Sequence, residues 1–266
     1  MFSKKQTNDT SWQSVYVDEI GTNSYKNNST FTYYVKYGNI SIARNKNIIY
    51  VEKGSKTVKK KTKPAITSFG GVLTNGKDIL YQRGGDVILW KNITTEKKIF
   101  KLGRKGDILV GKYGNTIYFG REIDYDEYHV YSYNLKTGKQ TNEELFNGYY
   151  CNGKYLVYKG QFHEGIKAPV VLYNMQTGKS ITIARNGSFG NATIISGRKV
   201  YYIELNEKKW TSRVIRYDLR TKKKEVLKKG LLVRPEWLDK NHYCFTDDDG
   251  EDVYVYDIRN GNETVY

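Results

Sequence analysis

Short stretches of alternating apolar and polar residues recur along this chain, most of them ending on an aromatic and followed by a tight polar turn. Val130-Tyr131-Ser132-Tyr133 runs into Asn134-Leu135-Lys136-Thr137-Gly138-Lys139, and Val171-Leu172-Tyr173 into Asn174-Met175-Gln176-Thr177-Gly178-Lys179. Val214-Ile215-Arg216-Tyr217 precedes Asp218-Leu219-Arg220-Thr221-Lys222-Lys223, and Val253-Tyr254-Val255-Tyr256 precedes Asp257-Ile258-Arg259-Asn260-Gly261-Asn262. Val87-Ile88-Leu89-Trp90 is an earlier copy, and Asn47-Ile48-Ile49-Tyr50-Val51 a degenerate one. The period-two alternation predicts β-strands. The Asx side chain and the glycine predict turns, the first by bonding to nearby backbone N–H groups and the second by accepting positive φ.

Successive aromatic anchors lie 39 to 44 residues apart. A unit of that length holds four short strands, which is the size of one propeller blade. In the unit around Trp90 the strands are expected near Gly71–Leu73, Ile79–Gln82, Val87–Trp90 and Lys98–Leu102, with Asn75-Gly76 turning the first pair. Asn152-Gly153 and Ser196-Gly197 hold the same place in later units. We label the strands of a unit A to D, from the axis outward. The expected fold is all-β, a six-bladed β-propeller of four-stranded antiparallel blades. Residues 1–13 are expected to be a flexible polar leader, and 14–266 a single domain. Ser14–Asp18 and Phe31–Tyr37 are expected to supply the first strand A or an outer strand that clips the ring shut.

The Tyr-Asn-Leu-x-Thr-Gly-Lys and Tyr-Asp-Leu-x-Thr-Lys-Lys segments resemble the blades of TolB-like six-bladed β-propellers, and are similar to bacterial surface-associated domains of the DUF5050 type. The resemblance spans about residues 40–266 and rests on turn chemistry and period, so it implies a fold rather than an activity. It implies also an alternative to a binding role. Propellers of this kind resemble those joined to serine peptidases and those of some polysaccharide lyases, whose site would lie at the central channel.

In a propeller the A–B and C–D turns share one end and the B–C and D–A connections the other. The B–C segments read as long and irregular: Gly120–Tyr128, Lys159–Pro169, Asn206–Arg213 and Thr246–Asp252. Varied loops on a rigid scaffold are where binding resides, so this end is the expected functional face. The candidate binding residues are Tyr125, Tyr128, His129, Phe162, His163, Arg185, Trp210 and Arg234, with Arg185 and Arg234 expected in D–A loops, because Tyr, Trp and Arg dominate recognition surfaces.

Sharper chemistry finds little support. His129 and His163 with Asp124, Asp126 or Glu164 lack a metal-fixing spacing, and Asp247–Asp252 lacks a calcium-loop ligand series. Gly187-Ser188-Phe189-Gly190 is not a nucleophile elbow, and neither HExxH nor a P-loop occurs. No catalytic residue, metal site or cofactor is expected. Cys151 and Cys244 read as two buried thiols acting as small hydrophobes.

Composition enters last. The 266 residues carry 44 Lys+Arg against 28 Asp+Glu, a net charge of +16. Dense lysines at Lys53–Lys63 and Lys222–Lys229 fall on expected C–D turns and D strands, where edge lysines block sheet-to-sheet pairing. Without an RNA-recognition or helix-turn-helix pattern, specific nucleic-acid binding is not expected. Loose attraction to anionic cell-envelope polymers is. No apolar run reaches the roughly 18 residues of a membrane span. The expected partner is a protein or glycan, the chain a monomer, and the compartment extracytoplasmic or the surface of a bacterium, with a cytoplasmic location as the alternative. A structural scaffold with a flat apolar patch is a third reading.

Overall fold

The computed structural model describes residues 13–14, 33–37, 40–45, 48–53, 56–61, 72–104, 106–124, 127–146, 148–159, 167–188, 194–196, 198–206, 209, 211–230, 233–237, 242–246, 253–257 and 259–265, some strand positions by backbone alone. They form β-strands that fall, after a two-residue β1 (Gln13–Ser14), into runs of four sequential antiparallel neighbours. The first run is β2 (Tyr33–Tyr37), β3 (Ile40–Asn45), β4 (Ile48–Lys53) and β5 (Lys56–Lys61). The second is β6 (Val72–Thr74), β7 (Ile79–Arg83), β8 (Asp86–Lys91) and β9 (Thr95–Lys101); the third is β10 (Ile108–Tyr113), β11 (Thr116–Asp124), β12 (Glu127–Asn134) and β13 (Gln140–Phe146). There follow β14 (Gly148–Asn152), β15 (Tyr155–Lys159), β16 (Lys167–Asn174) and β17 (Lys179–Ser188), then β18 (Ile194–Ser196), β19 (Lys199–Asn206), β20 (Thr211–Asp218) and β21 (Lys224–Gly230). β22 (Val233–Trp237), β23 (His242–Thr246), β24 (Val253–Asp257) and β25 (Glu263–Val265) complete the series. The strands expected around Trp90 are all present.

The alternation explains how the sheets stack. In β7, Ile79 and Tyr81 enter one hydrophobic cluster and Leu80 the other; in β16, Val170 and Leu172 enter the first, Val171 and Tyr173 the second. Odd and even residues thus bury opposite faces, and a sheet buried on both faces must be sandwiched between neighbours. The inner strands β6, β10, β14 and β18 touch in sequence, which places them about a common axis.

The repeated motif acquires a geometric reading. Asn134 Oδ1 accepts from the Lys136 and Thr137 amides at 2.9 and 3.0 Å, and Asn174 Oδ1 from Gln176 and Thr177 at 3.0 and 3.3 Å. Asp218 Oδ1 accepts from Arg220 and Thr221 at 2.8 Å each. Gly138, Gly178 and Gly261 stand at φ of 70°, 67° and 78°, each beside the hydroxyl of its anchor tyrosine. The Leu135, Met175 and Leu219 amides donate to the carbonyls of Asn115, Lys154 and Arg198 at 2.8, 2.8 and 2.9 Å. This last bond ties each C–D turn to the A–B turn of its own run.

One expectation holds and one changes. Within Phe31–Tyr37, residues Tyr33–Tyr37 contribute the first strand of a run, as β2. Residues 13–14 instead pair with β6 and β14, the inner strands of two later runs; Val15–Asp18 lie outside the described residues. The short bridge joins runs that would otherwise be separate sheets, and it is set by contacts remote in sequence. Among the described residues no helix is long and apolar enough to cross a membrane.

Candidate functional site

The B–C/D–A end is best defined where the second run hands over to the third. Gln82 Nε2 donates to the carbonyls of Asp107 at 2.7 Å and Gly84 at 3.2 Å, while its Oε1 accepts from the Leu109 amide at 3.1 Å. Asp107 receives Arg121 through both oxygens, Nε at 2.8 Å and Nη2 at 2.9 Å, and also the Arg104 amide at 2.9 Å. The two side chains are 0% and 11% exposed. The guanidinium lies 4.7 Å from the Tyr131 ring centroid and 5.5 Å from that of Phe119. Its hydrogen bond to Asp107 raises the Arg121 pKa against the opposing effect of burial. A Cβ at position 103 would stand 3.1 Å from Arg121 Nη2, which explains glycine there. Removing either charge would strand the other in the interior, at a cost of about 3–5 kcal/mol. The pair therefore anchors the D–A connection beneath the face. Sequence reading placed Arg121 in a loop and did not single out Asp107, because the pair forms across 14 positions with no local motif to mark it.

Above this anchor β11 and β12 continue as a paired hairpin. Arg121 faces His129, Glu122 faces Tyr128 and Asp124 faces Glu127 across the ladder. Gly120–Tyr128 is accordingly strand over most of its length and not the expected loop, since cross-strand pairing overrides the polar composition. Ile123 is 46% exposed near the tip. Tyr128 packs beside Gly120, whose added Cβ would meet its ring at 3.8 Å. As consecutive strand residues, Tyr128 and His129 project to opposite faces, so the two do not form one patch.

The other candidates distribute as follows. Arg185 is exposed and lies within β17, which continues to Ser188, where a D–A loop was expected. Arg234 likewise belongs to strand β22 and not to a loop. β19 and β20 pair from Asn206 to Thr211, and β16 begins at Lys167, so both neighbouring B–C connections are shorter than expected. Tyr125, Phe162, His163 and Trp210 lie outside the described residues, as do Asp126, Glu164 and Asp247–Asp252. In the run from β18 to β21, Glu204 near this end receives Arg213 at 2.8 Å and Lys224 at 3.1 Å, with the Tyr202 hydroxyl at 3.4 Å.

At the opposite end, His242 Nε2 stands 3.6 Å from Asp257 Oδ2. Hydrogen bonding from Arg259 outweighs burial and brings the Asp257 pKa down to about 2. His129 and His242 sit toward opposite ends of their strands and do not converge. Among the described residues no three His, Cys, Asp or Glu gather as a metal site. Cys151 is wholly buried, which pushes its thiol up to about 12 despite Lys112 nearby. A thiol so shielded acts as a small hydrophobe, as expected; the Cys244 side chain is outside the described residues.

No family model matches the chain. No curated protein is similar to it in sequence. Solved structures do share the fold. An oligogalacturonate lyase in complex with manganese aligns at 11% identity with a TM-score of 0.53, covering 85% of this chain and 72% of the other. The oligogalacturonate lyase of Vibrio parahaemolyticus aligns at 9% identity and TM-score 0.53, covering 85% and 73%. A TolB of Agrobacterium tumefaciens aligns at 12% identity and TM-score 0.52, covering 82% and 88%. At these identities the likeness is one of fold: an all-β, propeller-like arrangement of four-stranded antiparallel sheets.

Proposed function

We propose that this chain is a six-bladed β-propeller, a single domain over residues 14–266, that serves as a non-catalytic binding module. It holds a protein or glycan on its B–C/D–A end, as a monomer, outside the cytoplasm at a bacterial surface. The observation that carries this reading is the β11–β12 hairpin. β11 has 9 residues against 5 for the equivalent β7, so the third run rises past its neighbour's Gly84-Gly85 turn and presents exposed Ile123. A projecting, paired hairpin offers apolar contact at low ordering cost, because its backbone is fixed before binding. Its base rests on the buried Arg121–Asp107 pair, which keeps it rigid. Lysines on the outer strands favour approach to anionic envelope polymers.

The rival is a propeller enzyme with its site at the central channel. The two separate on one experiment with oligogalacturonate as probe, with and without manganese, reading retention by calorimetry and unsaturated product by ultraviolet absorbance. Saturable binding of this probe without product supports the binding role. Product release that follows protein concentration overturns it.

A further inference from the structure

The strand β1 joins partners far from it in sequence. Gln13 pairs antiparallel with Asn152 of β14 and with Thr74 of β6, and Ser14 pairs with Leu73. β6 and β14 belong to runs that are not consecutive; β10, the inner strand of the run between them, touches β1, β6 and β14 alike. β1 therefore lies on the axial side of three inner strands. Thr74 and Asn152 end their strands beside the A–B turns, so this is the turn end of the axis, opposite the β11–β12 hairpin.

The two sides of this junction are built differently. The receiving strands are firm: Leu73, Thr74 and Cys151 are buried. The Thr74 hydroxyl is tied into its turn, donating to the Asp78 carbonyl at 3.1 Å and accepting from the Gly76 amide at 3.0 Å. Behind them Gly111 of β10 packs against Cys151, its added Cβ falling 3.5 Å from the sulfur. The strand received is two residues long and polar, and its pairing is main-chain pairing. Sheet edges that bind through main-chain hydrogen bonds accept any strand of suitable shape, with side-chain pockets adding selectivity. Here glutamine faces Thr74 and serine faces Leu73, so the segment received is extended and polar.

We propose that the facing edges of β6 and β14 form an acceptor for an extended peptide, and that Gln13–Ser14 fills it in cis as a displaceable occupant. The ligand class is an extended polar peptide segment. It enters as β1 leaves, so the tethered segment lowers the apparent affinity by the fraction of time it is bound. This site is separate from the hairpin face and stands whether or not that face binds a partner.

The test uses the full chain and a labelled synthetic peptide with the sequence of residues 9–18. A double variant, Gln13→Pro with Ser14→Pro, removes both amides of β1. The variant is expected to bind the peptide at least roughly tenfold more tightly than wild type, and neither should bind a peptide carrying the same two prolines. Equal affinity for both chains, or no binding by a variant whose circular dichroism is unchanged, overturns the proposal. A measurement on wild type covers the case of a variant that does not fold. Amide exchange at 13–14 should be slowed, yet remain at least about tenfold faster than in β7, as local opening requires. Protection equal to that of β7 overturns displaceability, and no protection overturns the pairing.

Discussion

Lys222 stands at φ 61°, in the turn position that Gly138, Gly178 and Gly261 hold in the other copies. A side chain in the left-handed region costs about 1–2 kcal/mol. The ammonium lies 6.0 Å from the Tyr217 ring centroid, a contact that returns about 0.5 kcal/mol at an exposed site. Lys222→Gly is therefore expected to be close to neutral, stabilising by no more than about 0.5 kcal/mol once the added entropy of an unfolded glycine is taken off, read as a urea midpoint unchanged or slightly higher with an unchanged slope. The Asx position makes a second prediction. Asp257 is brought down from 3.8 to about 2 by Arg259, and Asp218 is lowered chiefly by Lys199. Folded carboxyls that ionise more readily than unfolded ones contribute stability that is whole above about pH 4 and fades as the pH falls toward 2. Asn134 and Asn174 close the same turn without a charge. Asp218→Asn with Asp257→Asn should be less stable than wild type near neutrality, with the deficit shrinking below about pH 4 in urea titrations across that range. A deficit that does not change with pH would mean that the two charges contribute nothing.

At the scale of elements, the strands most legible in the sequence are those whose pattern is local. The Tyr-Asx-Leu-x-Thr-Gly copies declared both their C strand and the turn after it, because the Asx cap, the positive-φ glycine and the tyrosine beside it all lie within a few residues. What stayed hidden depends on partners elsewhere. Glu122-Ile123-Asp124 has the composition of a loop and becomes strand through pairing with Glu127–His129. Ser14 opens a stretch that reads as strand, but its partners β6 and β14 lie far along the chain and leave no local signal. The candidate site suffered most: Arg185 and Arg234 were read as loop because D–A boundaries carry no periodic signature. A related handover occurs at Gly187, which pairs with Glu204 across two runs. A Cβ there would come 2.9 Å from the Ala168 carbonyl oxygen and closer still to Val170 Cγ2. Both neighbours sit in the same ladder and cannot withdraw without breaking it. Gly187→Ala should cost about 1–3 kcal/mol in thermal or urea unfolding; a change within about 0.5 kcal/mol would show that the β17–β19 handover is loosely packed.

Over the whole molecule, charge and chemistry are sorted by position. Exposed lysines follow the outer strands, as at Lys97, Lys98 and Lys101 of β9 and Lys224 and Lys229 of β21, and Lys228 bonds to Glu263 across two outer strands. The repeat motifs organise one end of the sheets. At the other end the hairpin stands on the buried Arg121–Asp107 pair. The account's central claim is that recognition belongs to this second end. The direct measurement is retention on an array of envelope glycans and oligogalacturonates of three chains: wild type, an Ile123→Asp/Tyr128→Ala variant at the hairpin, and a Lys136→Ala/Lys179→Ala variant at the repeat turns. The account predicts that the hairpin variant loses at least about tenfold in affinity for the best-retained glycan, as removal of a central contact does, while the turn variant stays close to wild type. Equal retention by wild type and the hairpin variant, or loss confined to the turn variant, would contradict it.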